Sequence, residues 1–192
     1  MRFSQAISEG DGISVIADVR DPEAARAAEA QGAEALAVRG RVGDLRNVTD
    51  LPVVWRASGS PSEAALAGAD AWVVAVEAAG DDDEWLVRQH AEATELGLDC
   101  VVEVRSEEHI ERALERLDPE IFLLAAADDD DRDGLERALE LLPDLPAGKL
   151  AVADVPVSNR GQIDELERAG VDAVIVGARN VADFVGDEPP EV

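Results

Sequence analysis

Lysine is almost missing from this chain. Lys149 is the one lysine among 192 residues, and 43 acids against 17 bases give a formal charge of −26. Such a charge repels nucleic acid and anionic membrane surfaces, so a partner recruited by attraction to either is excluded. Aromatic residues make up only 3% of the chain. Abundant acid, scarce lysine and few aromatics suit a protein built for molar salt, where the Debye length falls to about 3 Å and self-repulsion is screened. Cys100 is the single cysteine, so no internal disulfide forms, which suits a reducing cytosol. No run approaches 18 apolar residues, and the opening MRFSQAISEGDG lacks the basic start and apolar stretch of a secretory signal. The expectation is a cytoplasmic protein with no membrane partner.

What is present is strong periodicity on a chain that is 46% hydrophobic, enough to build one sizeable core. Strand-like apolar runs fall at 13–19, 33–39, 51–57, 71–78, 99–105, 121–127, 149–155 and 172–178. Helical patterns alternate with them at 21–31, 42–49, 61–68, 82–96, 106–117, 131–142 and 159–169, with a short eighth at 180–185. Ile110, Ala113, Leu114 and Leu117 line one face of the fifth, and Ser106 offers it a cap. AQGAEALAV, LAGADAWVV, ELGLDCVVEV and RAGVDAVIVG each place glycine just after a helix and before an apolar strand. Glycine there accepts the left-handed turn that ends a helix. Eight such units without a glycine-rich phosphate fingerprint predict one α/β domain over 1–192, a trimmed (β/α)8 TIM barrel. Residues 1–12 form its N-terminal segment and 186–192 its tail; a doubly wound open sheet is the alternative.

In a barrel, catalytic groups sit where the strands end. Those ends read Asp18 and Arg20, Arg39, Arg56, Glu77, Glu103 and Arg105, Asp128, Asp154, then Gly177. Asp18 and Arg20 share a strand face, as do Glu103 and Arg105. Such pairs can handle a ligand, or they can neutralise one another where single charges would be costly.

Four stretches carry a resemblance to a known family: LGLDCVVEVRSEEHIERALE (96–115), VSNRGQIDELERAGVDAVIVGARNV (157–181), LPVVWRAS with GADAWVVAV, and SVIADVR. Together they resemble indole-3-glycerol phosphate synthase of tryptophan biosynthesis, nearly throughout and in register. The resemblance implies a carbon–carbon lyase that closes an indole ring with loss of carbon dioxide and water; the residues themselves offer no site for a metal or organic cofactor. It also implies where the site departs from the family pattern. The first-strand Glu-x-Lys is matched by Asp18 and Arg20. The third-strand lysine, taken as the general acid, is matched by Arg56, with Ala57 after it in place of an acid. The fifth-strand general base is retained as Glu103. The sixth-strand asparagine falls on Ala125, and the seventh-strand Glu-Ser-Gly becomes Asp154, Val155 and Pro156. The family's long first loop and N-terminal extension are almost absent.

These departures have chemical consequences. A desolvated lysine can be tuned toward neutrality and give up a proton, whereas arginine keeps its proton and binds anions through a planar fork. Lys149, at the start of the seventh strand, lies at the wrong end of the barrel to substitute. Phosphate in such barrels rests on backbone N–H groups after strands seven and eight. Gly177, Ala178, Arg179 and Asn180 keep half of that cradle, while Pro156 offers no N–H in the other half. Arg39 and Arg105 complete a ring of cations that could hold a phosphorylated or carboxylated ligand.

Other features read as structural. DDDDRD (128–133) and DDDE (81–84) lack calcium-loop spacing and sit where helices start, so they read as solvated acids. His90 and His109 fall on different helices, without a partner at ligand spacing. Cys100, Trp55 and Trp72 are expected to pack in the core. Three functions stay open: a synthase running on Glu103 with an arginine-modified site, a related lyase or isomerase using Arg39, Arg56 and Arg105, and a non-catalytic relative that binds a metabolite or a partner subunit.

Overall fold

A computed structural model of the chain describes residues 2–9, 12–40, 43–126, 134–179 and 181–185. Eight parallel strands close into a barrel in sequence order: β1 Ser14–Val19, β2 Ala35–Val38, β3 Val53–Trp55, β4 Ala71–Ala75, β5 Asp99–Val104, β6 Ile121–Ala125, β7 Leu150–Asp154 and β8 Ala173–Gly177. β8 returns to β1, with Ile16 opposite Ile175 and Asp18 opposite Gly177, so no sheet edge remains. The strands are buried on both faces and accordingly read as near-continuous Val, Ala, Leu and Ile.

The surrounding layer holds α2 Pro22–Ala30, α3 Pro61–Ala67, α4 Asp83–Glu95, α5 Glu107–Arg116, α6 Gly134–Leu141, α7 Arg160–Ala169 and the short α8 Val181–Phe184. Local chemistry fixes the helix starts. Asp21, Ser60, Asp82, Ser106 and Asn159 each accept a hydrogen bond from an N–H of the first turn. Gly68 and Gly170 stop α3 and α7 at φ 87° and 102°, as the repeated glycines predicted. The predicted helix over 42–49 reduces to a 3-10 turn, Leu45–Asn47. Arg46 on that turn donates to the Gly68 and Leu51 carbonyls and pairs with Asp70, holding the segment in a non-helical path.

The sequence pattern predicts no element before β1, yet α1 spans Phe3–Ser8 and plugs the N-terminal end of the barrel. Its Phe3 and Ile7 pack with Ile16, Ala35, Val101 and Ile121 inside the lumen. The Ser4 amide donates to Asp99 at 2.8 Å, Arg2 pairs with Asp99 at 2.9 Å, and the Ser14 hydroxyl donates to the Ala6 carbonyl. Six residues are too few to hold a helix alone, so docking is what orders it.

A second pattern at this end explains the repeats further. Two residues after each helix-ending glycine stands an acid: Glu34, Asp70, Asp99 and Asp172. Asp70 accepts from the Val53 amide and Asp172 from the Ala151 amide, each near the start of the preceding strand. They satisfy N–H groups at the barrel's rim, where parallel pairing has begun only on one side. Lys149 belongs to this end too, 2.6 Å from the Asp118 carboxylate.

Candidate active site at the barrel mouth

The lumen face is set by Ile16, Val54, Val101, Leu123, Val152 and Ile175, which pack on one another inside the barrel. Alternation then carries the next inward positions to the mouth. They are Asp18, Arg56, Glu103, Ala125, Asp154 and Gly177. The sequence-predicted residues of strands one, three, five, seven and eight are therefore brought to one end of one cavity.

Ion pairing within this ring is nearly complete. Arg56 follows β3 and reaches across the lumen to pair with Asp154 at the end of β7. Its side chain is 5% exposed against 26% for Asp154, so the guanidinium lies beneath the carboxylate. Arg56 Nη1 is buried and has no hydrogen-bond partner among the described residues. Arg105 places Nε and Nη2 at 3.0 and 2.9 Å from one oxygen of Glu103, and its Nη1 stands 3.3 Å from Glu77. Arg137 on α6 donates to the Arg105 carbonyl at 3.3 Å, which fixes the backbone below that clamp.

The expected Asp18–Arg20 pair does not form. The chain bends at Arg20 immediately after β1, so strand alternation stops and the guanidinium is exposed. Asp18 instead faces Arg39 at 3.9 Å, beyond hydrogen-bond range, with 63% of the Arg39 side chain exposed. Arg20, Arg39 and Asp18 line one recess of about 380 Å³ together with Val38 and Leu45. A neighbouring pocket of about 390 Å³ lies over β7, β8 and β1, lined by the carboxylates of Asp18 and Asp154 and by Val155, Pro156, Ile175 and Phe184.

The residues expected to form half of a phosphate cradle lie only partly at this pocket. Gly177 is exposed at the end of β8 and lines that pocket, Ala178 packs against the helix-layer core, and Arg179 is exposed beyond the lining. Pro156 lines the same pocket as Gly177 and brings no N–H. Asn180, Asp128 and the DDDDRD run lie outside the described residues. Phe184 is a pocket residue that the sequence pattern did not single out, because α8 is too short to display a periodic face.

Cys100 and His90 stand away from the mouth, and His109 touches its rim through the Arg105 backbone. Cys100 is packed between β5 and the helices, and burial pushes its thiol up to about 12. His90 on α4 is half-buried and its pKa is lowered by desolvation. His109 caps the turn after β5, where its Nδ1 accepts from the Arg105 amide at 3.4 Å. Trp55 turns away from Arg56 and donates to the Gly40 carbonyl, and Trp72 is buried in the helix-layer core. Among the described residues, no three His, Cys, Asp or Glu side chains cluster so as to hold a metal ion. No described helix is long and apolar enough to cross a membrane.

Comparison with known proteins places this arrangement. The profile of the indole-3-glycerol phosphate synthase family matches residues 61–182. The indole-3-glycerol phosphate synthase of a Nocardioides species is 35% identical over 197 residues, covering 92% of this chain and 71% of that one. The chain belongs to the indole-3-glycerol phosphate synthase family. A Geobacillus synthase is 28% identical over 80% of this chain and 64% of its own length, and one from Salinibacter ruber is 34% identical over 60% and 42%. Solved structures of mandelate oxidase variants superpose with TM-scores of 0.67 and 0.65 at 16% and 14% identity, covering 88% of this chain and 65% and 66% of theirs. They share the barrel fold. Within the synthase family, the mouth described above is the face on which Asp18, Arg56, Glu103 and Asp154 converge.

Proposed function

We propose that this chain is an indole-3-glycerol phosphate synthase-like barrel of the tryptophan branch that binds an anionic ligand at its mouth, with ring-closing lyase chemistry impaired. The observation that carries this reading is Arg56, buried and paired across the lumen with Asp154, where the resemblance calls for a proton-donating lysine. Arginine holds its proton through the physiological range, so Arg56 can attract and orient an oxyanion but is a poor general acid. Glu103 remains as the candidate base, yet two donors of Arg105 converge on one of its oxygens. Proton transfer by Glu103 therefore competes with that clamp.

Asp18, Arg20 and Asp154 are assigned to orient the ligand, and Arg39 and Arg105 to offset its charge. Gly177, Ala178 and Arg179 would receive a phosphate, more weakly for the proline at position 156. A second reading, a catalytically degenerate relative that binds a phosphorylated or carboxylated metabolite or a partner subunit, is favoured by that same proline.

The test is formation of indole-3-glycerol phosphate from the carboxyphenylamino-deoxyribulose phosphate substrate in multimolar potassium chloride. A positioned general acid contributes about 10²–10⁴-fold. Turnover slower by that factor than in a relative bearing lysine at this position, and abolished by Glu103→Gln, supports the impaired synthase. No turnover, together with thermal stabilisation by phosphorylated or carboxylated metabolites, supports the degenerate binder. Full-rate turnover by the unaltered protein would overturn both.

A further inference from the structure

Arg56 is the most deeply buried cation of the mouth, and it is only half used. Nη2 is engaged by Asp154, while Nη1 is buried without a partner among the described residues. An idle charged donor away from water is costly and is relieved by any oxyanion that reaches it. Guanidinium binds carboxylate and phosphate most tightly when two nitrogens engage one group. With Asp154 seated on Nη2 and Nη1 closed off from solvent, a ligand cannot engage the two nitrogens together unless that carboxylate gives way.

We propose that Asp154 is a resident counter-anion that competes with ligand oxyanions for Arg56 and so sets the affinity of the mouth for them. The inference rests on the anion-binding reading above and adds the residue that limits it. Asp154 is placed for the part. It is the more exposed member of the pair and lines the pocket of about 390 Å³ beside Gly177, so its carboxylate stands between that pocket and the guanidinium. Asp18 adds a second negative charge to the same lining. The pocket that should admit an anion is thus bordered by two carboxylates, and the buried cation beneath is already neutralised by one of them. Other mouth pairs do not act in this way. Arg39 is mostly exposed and only loosely paired, and Arg105 is clamped onto Glu103 and Glu77 on the far side of the lumen.

The experiment is titration of the full chain with inorganic phosphate and, separately, benzoate, followed by calorimetry and thermal shift at one fixed potassium chloride concentration. The proteins are the unaltered chain, Asp154→Asn, Arg56→Gln and the double variant. Breaking the pair leaves Arg56 buried and uncompensated, a state that a bound anion relieves. Asp154→Asn should therefore bind at least one probe about tenfold more tightly or better than the unaltered chain, and both proteins carrying Arg56→Gln should lose that gain. Tightening for benzoate alone identifies a carboxylate as the matching ligand group, and tightening for phosphate alone identifies a phosphate; either supports the proposal. Equal affinity of the unaltered chain and Asp154→Asn, with both dependent on Arg56, overturns the counter-anion role and leaves the anion site standing. No binding of either probe to any variant overturns the anion site and the proposal together. If Asp154→Asn does not fold in its own right, the proposal requires that one of the probes restore its cooperative melting; failure of both to do so overturns it.

Discussion

Phe3→Ala tests whether the N-terminal helix is part of the barrel or an ornament on it. Phe3 is 1% exposed, and its ring fills the bottom of the lumen against Ile7, Ile16 and Val101. Truncating a buried phenylalanine costs about 3–5 kcal/mol, from lost transfer free energy and the cavity left behind. For a domain of this size each kcal/mol lowers the melting temperature by about 2–4 °C, so the expected drop is roughly 6–20 °C. The helix cannot survive undocked, so loss of Phe3 should also release the Ser4 and Arg2 contacts to Asp99 and leave that 5%-exposed carboxylate without its partners. Circular dichroism melting in molar potassium chloride measures the effect. Leu66→Ala, at a site 89% exposed, is the matched control and should stay within about 0.5 kcal/mol. A Phe3→Ala protein that melts with the control would refute the plug.

Three further outcomes follow from charge and burial. Cys100, with its thiol raised to about 12 by burial, should resist a thiolate-directed reagent at neutral pH until the barrel unfolds; rapid labelling of the native protein would contradict its position in the helix layer. His90 titrates below its ordinary value of 6.5 in the folded state, so the unfolded chain takes up its proton first as pH falls. Its contribution to stability is present above about 6.5 and is lost as pH falls from there through the lower folded-state value, and His90→Gln should flatten the pH dependence of denaturation midpoints below about pH 6.5; an unchanged slope would count against it. Finally, with a formal charge of −26, raising potassium chloride from about 0.1 to about 1 M shortens the Debye length from about 10 to about 3 Å and should raise the melting temperature. A falling melting temperature would mean that ion pairs such as Arg46–Asp70 outweigh self-repulsion.

The barrel was legible because its signals are local and repeated. Glycine after a helix, an apolar strand and a polar cap recur often enough to count units, and the strand runs landed within a few residues of the observed ones. The inward phase of each strand was legible too, which is why Asp18, Arg56, Glu103 and Asp154 arrive at one mouth. Partners were not. Asp18 and Arg20 alternate on paper, but the bend after Val19 breaks the phase, and Arg39, just past the end of the adjacent strand, faces Asp18 instead. Arg56 and Asp154 lie 98 positions apart and meet only because β3 and β7 stand opposite each other in a closed eight-stranded ring. The helix before β1 escaped for a different reason: with six residues it shows too little periodicity, and its stability comes from the lumen it plugs. The acids two residues past each glycine were in plain view, but that Asp70 and Asp172 accept from amides of the preceding strand needs the register to be seen.

The most direct test of the functional account is the ring-closing rate of Arg56→Lys beside that of the unaltered protein, under the same salt and substrate. If the missing proton donor is the defect, the substitution raises kcat by at least about tenfold with little change in KM, and at most by the roughly 10²–10⁴-fold that a positioned acid contributes. Turnover by the unaltered protein near the enzymatic median of about 10 s⁻¹, unmoved by Arg56→Lys, would show that a guanidinium at this position is no obstacle and would contradict the account.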